Sequence, residues 1–128
     1  MNLNQITIHV SDLDRSIVFY QKLGLTLIVH SSDNRYARFE CPIDGTTFSL
    51  HETENISSGN VSFYFEVDDV DTRVTELKES GLVFDTEPID QRWLWREAWT
   101  RDPDGYRIGI YKAGENRRFP PWRLKNEQ

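Results

Sequence analysis

Polar and apolar positions alternate through LNQITIHV (residues 3–10). Ile6, Ile8 and Val10 share one face and Gln5, Thr7 and His9 the other, the period of a half-buried strand. The period then lengthens to that of a helix, with Leu13, Ile17, Tyr20 and Leu23 on one stripe. Ser11-Asp12 offers side-chain oxygens to the free N–H groups of the first turn, and Gly24 supplies the left-handed residue that ends it. Alternation resumes over residues 25–30, 36–41 and 46–52, separated by the turns SSDN and PIDG. In the last of these strands Phe48 and Leu50 face one way, and Thr47, Ser49 and His51 the other. Residues 53–60 are polar and read as a linker.

The pattern then restarts. Residues 62–67 alternate, with Phe63, Phe65 and Val67 on one face and Ser62, Tyr64 and Glu66 on the other. Asp68-Asp69 caps a helix carrying Val70, Val74 and Leu77, and Gly81 ends it. ITIHVSDLDRSIVFYQKLGL aligns with FYFEVDDVDTRVTELKESGL without a gap at an offset of 57, the separation of Gly24 and Gly81. DGTTFSLH aligns with DGYRIGIY at an offset of 60, the separation of Gly45 and Gly105. A repeat of this kind takes precedence over any local assignment. It predicts an α+β fold of two βαβββ repeats, about residues 3–52 and 61–112, within a single 1–128 domain that ends in a 113–128 tail. Each repeat forms a mixed four-stranded sheet with one helix on its outer, apolar face, and the two sheets curve around a central cleft.

The stretch WLWREAWTRDPDGYRIGIY (residues 93–111) closes the second repeat. It reads as two strands joined at Asp-Pro-Asp-Gly, where Pro presets φ and Gly accepts φ > 0. Alternation through the first strand groups Trp93, Trp95, Glu97 and Trp99 on one face; in the second, Arg107, Gly109 and Tyr111 oppose Ile108 and Ile110. Three tryptophans in line with a carboxylate make an unusual wall for a plain core.

Composition narrows the function classes. A formal net charge of −6 argues against nucleic acid or an anionic membrane as partner. No apolar run reaches the length of a membrane span, and MNLNQITIHV lacks the order of a secretory signal, so the expected compartment is cytoplasmic. The single cysteine, Cys41, forms no internal disulfide framework or multi-cysteine zinc site, and reads as an inert thiol. Lys112, Arg117, Arg118, Arg123 and Lys125 gather after the last strand, as a solvated or packed basic terminus.

With its repeated βαβββ units, its VSDLDRSIVFYQKLGL opening and its late RDPDGYRIGIY, residues 3–112 resemble the vicinal oxygen chelate superfamily of glyoxalases, extradiol dioxygenases and bleomycin-resistance proteins. WLWREAWTRDPDG is most similar to bleomycin-resistance-type members, which are metal-free binders, and the AGENRRFPPWR tail to small bacterial glyoxalase-like proteins. The resemblance places the superfamily's metal ligands, on the first and fourth strands of each unit, at Gln5, Ser49, Ser62 and Gly109. Two serines and a glycine there deprive a divalent ion of its usual carboxylate and imidazole donors, so no metal and no cofactor are expected. Homodimers with completed clefts are common in the superfamily, and a homodimer is expected here on that ground.

The cleft wall predicted in this way comprises Gln5, Thr7, His9, Ser49, His51, Ser62, Tyr64, Glu66, Trp95, Glu97, Trp99, Arg107 and Tyr111. Within it, His9, His51, Tyr64, Trp95, Glu97, Trp99, Arg107 and Tyr111 are the candidate ligand-binding residues. Aromatic walls with a few polar handles suit a small aromatic or cationic organic molecule. That reading makes the chain a metal-independent small-molecule binder. An enzyme is the alternative, either through a displaced metal site of His9, His51 and Glu66 or through acid–base chemistry at Glu66 or Glu97 buried among the rings. A third reading is a structural or regulatory dimer module whose tryptophans pack against a partner, or against the tail through Phe119 and Trp122. The plainer account of Glu97 is an ion pair with Arg96 or Arg107.

Overall fold

The computed structural model describes residues 1–125; the last three residues of the expected tail lie outside the described residues. The chain divides into two compact units. One comprises Met1–Val61 and Asp102–Tyr106, the other Ser62–Arg101 and the chain from Arg107 onward.

The first unit runs β1 (Gln5–Val10), α1 (Leu13–Leu23), β2 (Thr26–Ser31), β3 (Tyr36–Glu40) and β4 (Thr47–Glu52). Its sheet has the order β1-β4-β3-β2, with β1 and β4 parallel and the other pairs antiparallel. Asp12, in an extended conformation, caps α1 by accepting from the Arg15 amide, while Gly24 closes it at φ 112°. Ile8, Val10, Ala37, Phe39, Phe48 and Leu50 are buried together with Leu13, Ile17, Tyr20 and Leu23 of the helix. The Tyr20 ring lies 4.9 Å from Phe48 and 6.1 Å from Phe39, which seats α1 on the apolar face of the sheet. The opposite face is left to Gln5, Thr7, His9, Tyr36, Arg38, Ser49 and His51.

The second unit repeats the plan with β5 (Ser62–Glu66), α2 (Val70–Glu79), β6 (Ile89–Asp90), β7 (Arg96–Arg101) and β8 (Arg107–Lys112), followed by a single turn, α3 (Glu115–Arg118). The sheet order is β5-β8-β7-β6, with β5 and β8 parallel. Asp69 caps α2 through the Thr72 amide, and Gly81 follows it at φ 105°. Arg96 reaches two carboxylates, Asp71 on α2 and Asp90 on β6, so the even-numbered positions of β7 face the helix. Glu97 and Trp99 therefore face away from it, as do Arg107, Gly109 and Tyr111 on β8.

The registers of the two sheets match the sequence offsets. Thr7 pairs with Ser49 and His9 with His51 in the first; Tyr64 pairs with Gly109 and Glu66 with Tyr111 in the second. On the neighbouring strand Tyr36 and Arg38 stand opposite His51 and Ser49, as Glu97 and Trp99 stand opposite Tyr111 and Gly109.

Two features depart from the sequence reading. The strand expected from residue 93 begins at Arg96. Trp93 and Trp95 belong to a turn in which the Leu94 amide donates to the Gln91 carbonyl at 2.9 Å and the Gln91 amide to the Trp95 carbonyl at 2.8 Å. Leu94 sits at φ 70°, a conformation no strand residue adopts, and this lifts Trp93 out of the alternation. In addition β6 is two residues long where its counterpart β2 has six. Pro88, which has no N–H for a ladder, precedes it, and Phe84 makes only an isolated bridge to Thr100.

The Asp-Pro-Asp-Gly loop belongs with the first unit. Asp102 accepts from the backbone amides of Asp104 and Tyr106, each at 2.9 Å, and from the Tyr20 hydroxyl at 2.7 Å. Tyr106 donates its own hydroxyl to the His9 carbonyl at 2.8 Å, while Asp104 takes the amide and hydroxyl of Ser11. Gly105 turns the loop at φ 91°. Among the described residues no helix is long and apolar enough to cross a membrane.

Candidate functional site

In the second unit the face away from α2 is aromatic. Tyr64 presents its ring edge-on to Trp95, Trp99 and Tyr111 at centroid distances of 5.6, 5.0 and 5.4 Å, and Trp95 lies 4.9 Å from Tyr111. These are favourable pair geometries for ring quadrupoles. Trp95, although outside β7, joins the cluster through the turn and donates its indole N–H to the Asn116 carbonyl at 3.3 Å. The tail thus meets a tryptophan, but by a backbone carbonyl; Phe119 and Trp122, expected as the packing partners, stay more than half exposed.

Glu97 lies between Trp95 and Trp99 in sequence and across the ladder from Tyr111. Only 5% of it is exposed. One carboxylate oxygen, Oε1, accepts from the Trp99 indole N–H at 3.1 Å; the other, Oε2, is buried without a hydrogen-bond partner among the described residues. The expected ion pair with Arg96 or Arg107 is not what holds it. Arg96 is on the helix side of the sheet, and Arg107 lies over the Trp99 ring at 4.2 Å and donates to the Ser62 hydroxyl at 3.3 Å. Trp99 itself rests on Gly109, where an added Cβ would stand 2.9 Å from ring atom Cη2.

The corresponding face of the first unit is polar and bound to itself. Gln5 donates to Ser49 at 2.9 Å, the Ser49 and Tyr36 hydroxyls share a hydrogen bond of 2.6 Å, and Arg38 donates to the Tyr36 hydroxyl at 2.9 Å. Tyr36 and Arg38 were absent from the wall read from the sequence. Their position opposite Ala37 and Phe39 was visible in the alternation, but their meeting with Ser49 depends on the β3–β4 register. His9 and His51 are ladder partners with ring centroids 5.8 Å apart, both exposed.

Glu66 has a structural task in the second unit. Its Oε2 accepts from the amides of Ala113 at 2.7 Å and Gly114 at 2.9 Å, which fixes the start of the tail. Burial, and after it the Glu66 charge, push the Tyr111 hydroxyl above its ordinary range. Among the described residues no three His, Cys, Asp or Glu side chains are placed to hold a metal ion. The four positions assigned to the superfamily's metal ligands are otherwise engaged: Gln5 with Ser49, Ser62 with Arg107, and Gly109 under an indole. Cys41 is part-buried, and burial raises its thiol pKa, which works against its use as a nucleophile.

Comparison with known proteins agrees with this architecture. The chain is 31% identical over 126 residues to the Bacillus subtilis (strain 168) protein described as "Uncharacterized protein YraH", covering 88% of this chain and 98% of that one. A crystal structure of a glyoxalase/bleomycin resistance protein/dioxygenase from Nocardioides superposes with a TM-score of 0.78 at 23% identity, covering 98% of this chain and 90% of the other. A superfamily member from Sphaerobacter thermophilus DSM 20745 gives a TM-score of 0.76 at 24% identity, with coverages of 88% and 97%. At these identities the solved structures speak for the fold alone. The model of the Glyoxalase/Bleomycin resistance protein/Dioxygenase superfamily matches residues 2–110, and the chain belongs to that superfamily.

Proposed function

We propose that this protein is a cytoplasmic, metal-independent binder of a small aromatic or cationic organic molecule, acting as a homodimer, and that the ligand lies against the aromatic face of the second unit. The observation that carries this reading is the Tyr64–Trp95–Trp99–Tyr111 cluster on a sheet face turned away from the helix, with Tyr64 48% exposed. Stacking on such rings contributes about 0.5–1.5 kcal/mol per ring pair beyond area burial, enough for several rings to hold a small planar molecule. Metal independence is supported by the donors at the four superfamily positions, which are weak, absent or bonded to one another.

A titration of planar organic compounds against tryptophan fluorescence tests the proposal. A member of the panel should quench or shift the emission in the low-micromolar to millimolar range, with the same affinity after exhaustive treatment with a chelator. Trp95→Ala should weaken it by about tenfold, the loss of one to two ring contacts. An affinity that disappears with the chelator and returns with zinc, nickel or iron would overturn metal independence, and silence across the panel would favour a dimer module with no ligand.

A further inference from the structure

The two units carry the same scaffold in the same register, so each position on one sheet has a counterpart on the other. Tyr36, Arg38 and Ser49 in the first unit correspond to Glu97, Trp99 and Gly109 in the second. The first set is closed: Gln5 and Tyr36 both hydrogen-bond Ser49, and Arg38 bonds Tyr36. The second set is one donor short. Trp99 supplies a single N–H to Oε1 of Glu97, and among the described residues nothing meets Oε2, although that atom is buried. A buried acceptor without a donor is costly, more so on a carboxylate, and native proteins leave few of them.

The donors of this unit described above are engaged elsewhere. Arg107, on β8, is held over the Trp99 ring and by Ser62. Arg96 is engaged with Asp71 and Asp90 on the far side of the sheet. The Trp95 indole N–H is used by Asn116. Glu97, bonded to Trp99 and paired across the ladder with Tyr111, therefore keeps one buried acidic acceptor that no described residue satisfies.

We infer that the ligand of this face carries a positively charged N–H donor beside a planar apolar part, and that the donor is received by Oε2 of Glu97 while the planar part lies among Trp95, Trp99 and Tyr64. This inference rests on the proposed binding role and narrows its ligand class to amidinium-, guanidinium- or ammonium-bearing aromatics. Two forces then act together. A charge-assisted hydrogen bond to a desolvated carboxylate is about twice as strong as a neutral one, and the indole faces favour the same cation. Entry requires a ring to turn aside. Tyr64 fits that part, being the most exposed of the four and held in the cluster by edge contacts.

The test uses three probes of one shape: benzamidinium, benzamide and benzoate, titrated into the full-length protein while the indole N–H resonances are followed by NMR. Benzamidinium is expected to bind on the order of tenfold tighter than benzamide, and benzoate weakest. It should also move the Trp99 indole N–H resonance, because that proton is donated to the same carboxylate. In Glu97→Gln the preference for the cation should vanish while weak binding of benzamide persists. Should the variant not fold, the wild-type ranking and the Trp99 resonance still decide the matter. Equal affinity for benzamidinium and benzamide, or a cation preference that survives Glu97→Gln, overturns the role of Glu97 and leaves the aromatic binding role standing. Tighter binding of benzoate would assign the charge contact to Arg107 and also overturn it. If none of the three binds, the inference falls together with the binding role on which it rests.

Discussion

Trp99 lies flat on Gly109 of the adjacent strand, so closely that a methyl group on Gly109 would sit 2.9, 3.1 and 3.2 Å from three carbons of the indole. Gly109→Ala should therefore destabilise the protein. The gain from a stiffer unfolded chain is about 0.4–1 kcal/mol, whereas pushing a nearly buried indole out of place costs about 1–3 kcal/mol, and the clash wins. Urea unfolding should show a lower midpoint at unchanged slope, with a red-shifted tryptophan emission before the transition. A midpoint equal to or above that of the wild type would mean the ring yields freely.

The two tryptophans of the cluster should separate binding from stability. Trp99 is 8% exposed and packed from several sides, so Trp99→Ala should cost about 3–5 kcal/mol. Trp95 is part-exposed and held by one long hydrogen bond and its ring contacts with Tyr64 and Tyr111, so Trp95→Ala should cost less stability, about 1–3 kcal/mol, while weakening ligand binding. Thermal melts of both variants beside ligand titrations give the comparison; a collapse of Trp95→Ala would make that indole a core residue.

Tyr20→Phe should destabilise the first unit. Tyr20 is fully buried and donates at 2.7 Å to Asp102, eighty-two positions away in sequence. Without that hydroxyl one oxygen of a buried carboxylate loses its partner, a loss of about 1–3 kcal/mol. Chemical denaturation measures it, and an unchanged midpoint would show the bond to be replaceable by water.

The same hydroxyl sets a response to alkali. Burial, with the Asp102 charge beside it, pushes the Tyr20 pKa well above 10.0, and burial raises those of Tyr106 and Tyr111 as well. A folded-state pKa above the unfolded one gives stability that is fully present below about pH 10 and is lost as pH rises beyond it, where the unfolded chain ionises first. Unfolding free energy should fall as pH rises above about 10, less steeply in Tyr20→Phe. A profile of equal slope in both proteins would remove Tyr20 from the account.

Glu66 should prove to be a tail anchor. Its carboxylate receives the amides of Ala113 and Gly114. Glu66→Gln, which retains one acceptor without the charge, should accelerate hydrogen exchange at those two amides and around α3, with little change in the sheet. Loss of ligand binding with unaltered exchange would instead place Glu66 at the ligand.

Much of the scaffold was legible because the repeat supplies a check on each strand from its counterpart. The capping aspartates, the helix-ending glycines and the ladder registers all fall where the offsets of 57 and 60 put them. Alternation failed at Trp93, where positive φ at Leu94 breaks the period, because no residue type there advertises a turn. It also missed the Arg96 ion pairs, since Asp71 lies twenty-five positions away and only the fold brings it near. The aromatic face was visible as a pattern, but the state of Glu97 was not. Whether a carboxylate is paired depends on a few tenths of an ångström among side chains, which periodicity does not encode.

The placement of the Asp102–Tyr106 loop has a consequence for synthesis on the ribosome. Residues 1–61 contain every strand and the helix of the first unit, yet Tyr20 and the His9 carbonyl wait for partners at positions 102 and 106. Until positions 102 and 106 have been made and have left the ribosome, that unit lacks the partners of these two groups. Closing so long a loop adds an entropic barrier that local pairing does not face. Folding of the first half should therefore finish last, after the second half has been made, and a nascent chain stalled before residue 102 should remain open to proteases.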